Sequence, residues 1–145
     1  MTDLEFTRAL ESCTLPEEQF RHRDHIRLAW IYLREYGRES AAERIAASIR
    51  RYAAYHDKPD RYHHTITMAW LELVWAVKES LPEDATFEDA VDCWPKLLQK
   101  GTLAEYYSSG VLESDTARRE FVAPDLQPLL VTGCANGSIA GSSRR

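Results

Sequence analysis

From Thr65 to Ser80 the chain reads Thr-Ile-Thr-Met-Ala-Trp-Leu-Glu-Leu-Val-Trp-Ala-Val-Lys-Glu-Ser, apolar on nearly every side of a helical wheel. Ile66, Trp70, Leu73, Val74 and Val77 make one stripe, and Met68, Leu71 and Trp75 widen it. A helix with so small a polar face has to be covered on several sides, so the fold is expected to form around it. Glu72 in its middle and its short length exclude a bilayer span, and no membrane partner is expected. Leu81-Pro82 ends it, and it starts near His63 or Thr65.

The flanking segments also carry helical periods and caps. Thr2 and Glu5 have capping-box spacing ahead of a short helix to Ser12. A second helix is expected from about Asp24 to Tyr36, with Ile26, Ala29, Trp30 and Leu33 inward and Gly37 as its stop. Ser40-Ala-Ala-Glu43 reads as the cap of a third, running to about Tyr55, and Asp57-Lys-Pro-Asp60 breaks it. Thr86-Phe-Glu-Asp89 caps a helix that Trp94-Pro95 halts. Short helical segments follow up to Val122, and Pro124 to Leu129 reads as an extended strap across the bundle. No alternating strand pattern of useful length occurs. The expectation is an all-α, compact single-domain bundle of about five to seven helices over residues 1–130, with 131–145 a disordered Gly/Ser-rich tail.

Charge and cysteine content narrow the function classes. Eighteen basic against 23 acidic residues give a net charge of −5, without the positive footprint that phosphate backbones require, so nucleic acid is not an expected partner. Cys13, Cys93 and Cys134 are widely spaced and suggest neither a disulfide framework nor a zinc knuckle. The opening Met-Thr-Asp-Leu-Glu-Phe has no signal-peptide pattern, so the cytoplasm is the expected compartment.

All five histidines lie between His22 and His64. Three successive helices joined by short links pack as antiparallel neighbours, which puts the starts of the second and fourth and the end of the third at one end. His22 and His25, three apart, approach one helix face, and His63 continues the buried side of the apolar helix while His64 falls on the rim. One reading is a metal site with His22, His25 and His63 as nitrogen ligands, suited to iron, zinc or copper and to oxidative or hydrolytic chemistry. Asp24 would support it as an outer partner or cap the helix, and Asp60 is a candidate oxygen ligand. A structural reading has the same residues capping helices and stacking on Tyr62 and Trp30. A third has two helix N-termini and Arg23, Arg27 and Arg61 holding a small anionic ligand without catalysis, or the same end meeting a partner protein. Neither the reaction nor the oligomeric state follows from the residue list.

Phe20-x-His22-x-Asp24-His25-Ile-Arg-x-Ala-Trp30, Tyr62-His63-x-Thr65-x-Thr67, Tyr106-Tyr107-Ser108 and Ala117-Arg118 through Pro124-Asp125-Leu126-x-Pro128-Leu129 together resemble a family of small, uncharacterised bacterial helical proteins. The resemblance covers most of the chain from Phe20 to Leu129. It implies a self-contained bacterial domain and brings no activity with it.

Overall fold

The computed structural model describes residues 1–131; the expected disordered tail, apart from Val131, lies outside the described residues. All regular elements among them are helical. They are α1 (Asp3–Glu11), α2 (His22–Tyr55), α3 (His64–Glu79), α4 (Phe87–Cys93), α5 (Ser109–Leu112) and α6 (Asp115–Arg119), with 3-10 turns at Glu17–Gln19, Pro59–Arg61, Pro95–Leu98 and Lys100–Glu105. None of these helices is long and apolar enough to cross a membrane.

Local chemistry sets most of the helix starts. The Thr2 hydroxyl accepts the Glu5 N–H and the Glu5 carboxylate accepts the Thr2 N–H, closing the box that opens α1. Thr86 and Asp89 do the same for α4. The Ser114 hydroxyl caps α6, which ends at Arg119, sooner than the expected helix to Val122.

The second and third expected helices are the two arms of α2. Gly37, at φ 82° and ψ 172°, breaks the helical path between them, and helical geometry resumes at once, leaving Ser40 inside the helix and not at its cap. The arms fold back on each other. The Tyr32 hydroxyl lies 3.0 Å from Ser48 Oγ, and the Arg44 guanidinium stands 4.0 Å above the Tyr36 ring. This is the antiparallel packing that the short link implies.

The Gly37 backbone conformation is open almost only to glycine. A Cβ added there meets nothing within 4 Å, so the cost of Gly37→Ala is confined to the backbone. Urea denaturation should show a loss of about 1–3 kcal/mol, from backbone strain alone.

The apolar helix α3 is central, packing against α2, α4 and α6. Ala69, Leu71, Leu73, Val74 and Val77 are fully buried, against a core that includes Trp30, Ile26 and Leu97. Its outer side is covered by Arg38, which pairs with Glu72 and lies 5.4 Å from the Trp75 ring centroid. The strap after α6 is tied down from below. Thr65 Oγ1 donates to Glu120 O (2.8 Å) and accepts the Val122 N–H (3.0 Å). The Tyr107 and Tyr106 hydroxyls donate to Val122 O (2.7 Å) and Leu130 O (2.8 Å). Cys13 is a buried free thiol, whereas Cys93, also buried, is not free.

Candidate functional site

The starts of α2 and α3 meet beside the 3-10 turn Lys100–Glu105 and α5, and a cavity of about 630 Å³ lies between them. Both arms of α2 contribute, with His22, His25 and Ala29 from the first and Ile45 and Ile49 from the second. From α3 and the residues leading into it come Tyr62, His63, Ile66, Thr67 and Trp70. The chain from Lys100 to Leu112 supplies Lys100, Leu103, Ala104, Tyr107, Ser109 and Leu112.

The antiparallel arrangement thus brings His22, His25 and His63 to one cavity, but their ring nitrogens have different occupations. His63 caps α3: its Nδ1 accepts the Ile66 N–H at 3.1 Å. That fixes the tautomer, so Nε2 carries the proton and donates to Leu112 O at 2.6 Å. His22 Nε2 donates to Leu97 O at 2.9 Å, and its ring stands edge-on to Trp70 with centroids 4.7 Å apart. These two histidines bind both ends of the segment that walls the cavity. His25 is different. It stacks on Phe20 at 3.9 Å, and no hydrogen bond to either ring nitrogen occurs among the described residues.

Burial holds the His22 and His25 imidazoles in their neutral form. Burial, and then the charges of His22 and Lys100, push His25 down to about 4. Burial also lowers His22, against the opposing effect of the Leu97 carbonyl and with the help of Lys100. Among the described residues three cations line the cavity, Arg21, Arg61 and Lys100, and no aspartate or glutamate does.

The other residues singled out in the sequence lie elsewhere. His64 does not line the cavity; its Nδ1 lies 2.6 Å from the Tyr62 hydroxyl. Asp24 is a cap, accepting the Arg21 N–H at 2.9 Å. Arg23 pairs with Glu88 and lies 5.2 Å from the Phe87 ring centroid, while Arg27 binds Asp3 at 2.9 Å and Met1 O at 3.0 Å. Both belong to a separate groove of mixed charge beside α4, so of the three arginines considered for an anion only Arg61 lines the cavity. Asp60 is exposed, and its carbonyl accepts from Arg118 at 2.8 Å.

A three-imidazole metal centre needs a free nitrogen on each ring converging on one point. Both nitrogens of His63 are instead spent on the fold, whereas the bond of His22 to Leu97 O occupies Nε2 alone. Among the described residues no group of three histidine, cysteine, aspartate or glutamate side chains is placed to hold a metal ion. Sequence reasoning missed Lys100 and Ser109. Neither lies on a periodic helix or in a spaced motif, and the only nearby signal was the hydroxyl run Tyr106-Tyr107-Ser108. Comparisons with protein-family models, curated proteins and solved structures return no match.

Proposed function

We propose that this protein binds a small anionic molecule in the histidine-rich cavity, as a binding module and not as a metalloenzyme. The observation that carries this reading is the charge of the lining. On a chain with more acids than bases, the described residues that line the cavity include Arg21, Arg61 and Lys100 and no aspartate or glutamate. Such a lining raises the local concentration of anions and excludes cations. Residues at the N-termini of both α2 and α3 line the cavity, and helix N-termini favour negative charge. The volume is that of an ordinary small-molecule site, largely apolar with a few polar groups. His25 supplies one of them, a neutral imidazole with both a donor and an acceptor to offer.

Thermal melting in the presence of small carboxylates and inorganic phosphate tests the reading. A ligand at one hundred times its Kd adds about 2.7 kcal/mol of stability. Several degrees of stabilisation are therefore expected, lost in an Arg61→Ala/Lys100→Ala double variant. If no anion raises the melting temperature, or if the double variant responds as the parent does, the proposal fails.

A further inference from the structure

Resting on that reading, we infer that the ligand is an amphipathic anion that lies tail inward, with its charged head at the mouth beside Arg61 and Lys100. The lining separates by depth. Arg21, Arg61 and Lys100 are exposed residues, whereas Ala29, Ile45, Ile49 and Leu103 are buried. Positive charge therefore belongs to the rim and apolar surface to the interior. An anion pushed to the bottom would lose its hydration without meeting a cation there, a heavy penalty in an apolar environment. An apolar tail at the bottom gains from the same surface.

The rim supplies the cations that meet the head. Arg21 donates through Nε to Glu18 O at 3.0 Å. Neither Arg61 nor Lys100 makes an ion pair among the described residues, so both are left to meet a head. Outside them, Glu17 and Glu18 share a shallow surface depression with Arg21, Arg23, Lys58, Arg61 and Lys100. Glu17 pairs with Lys58 at 2.9 Å, so positive charge prevails around the mouth.

Isothermal titration of the intact chain with butanoate, hexanoate, octanoate, octan-1-ol, octylammonium and octyl phosphate decides this. Each methylene added to the acid is expected to tighten binding about fourfold. Octanoate and octyl phosphate should each bind at least about tenfold tighter than octanol or octylammonium. Lys100→Gln, at an exposed position, should weaken octanoate about tenfold and leave octanol unchanged. Octanol matching octanoate, or affinity independent of chain length, would overturn the inference. Short anions that bind without any chain-length dependence would sink it while leaving the anion-binding reading intact; no binding by any anion would sink both.

Discussion

His63→Ala is expected to cost about 2–4 kcal/mol of stability, although the residue sits at a helix start where histidines are often dispensable. Its ring joins two distant parts of the fold. Nδ1 receives the Ile66 N–H, and losing a helix cap costs about 1 kcal/mol. Nε2 donates to Leu112 O, and leaving a half-buried carbonyl without a partner costs roughly 1–3 kcal/mol more. The side chain is only 9 % exposed, so alanine also leaves a void at the edge of the cavity. His63→Asn separates these contributions, because asparagine caps well but is too short to reach Leu112. Urea denaturation at neutral pH should place it between the parent and the alanine variant. Equal stability of all three would show that neither hydrogen bond matters and would reopen His63 as a free ligand.

Acidification should weaken the fold before its carboxylates titrate. His25 has a folded pKa of about 4 against an ordinary 6.5, so between those values the unfolded chain binds the proton more readily. Stability from the neutral imidazole is complete above the unfolded value and is lost as the pH falls from about 6.5 towards 4. At 1.36 kcal/mol per unit, the loss is on the order of 3 kcal/mol by the bottom of that window. His22 and His64 are lowered as well, both chiefly by burial, and shift stability in the same direction. Asp3 and Glu17 are also held below their ordinary values. Their stabilisation is lost only as the pH falls below the ordinary carboxylate range, so the upper window belongs to the imidazoles. Chemical denaturation from pH 7.5 to 4.5 should show the decline, and His25→Phe should flatten most of it. An unchanged midpoint across that range, or a His25 imidazole that titrates near 6.5 by NMR, contradicts the assignment.

The readings that matched the structure concern interactions within a turn or two of helix. The Thr2–Glu5 and Thr86–Asp89 boxes close over three residues, so neither needs the rest of the chain. The α3 stripe places Leu73 and Val77 inward because helical geometry leaves them on one side. Gly37 was legible as a break, but the sequence could not distinguish a stop followed by a new cap from one helix bent at a single residue. Ser40 offered a side-chain cap on paper, and the chain re-entered the helix before reaching it.

The meeting of His22, His25 and His63 was also legible, since short links between apolar helices leave few packings. What each imidazole does was not. Leu97 lies 75 residues from His22, and Leu112 lies 49 from His63. No spacing rule connects a ring nitrogen to a carbonyl that far along the chain. The same holds for Arg23 and Arg27, drawn away by Glu88 and Asp3, and for Lys100, which comes to the mouth from a turn without periodicity. The sequence by itself determined an all-α chain built on the apolar helix 64–79, with its histidines gathered at one end, because periodicity, caps and link lengths act locally. Only the tertiary structure decided that two of those histidines hold the wall of a cavity while His25 faces it unbonded. Hydrogen-bond partners and net charge at a site depend on which distant segments come to rest there.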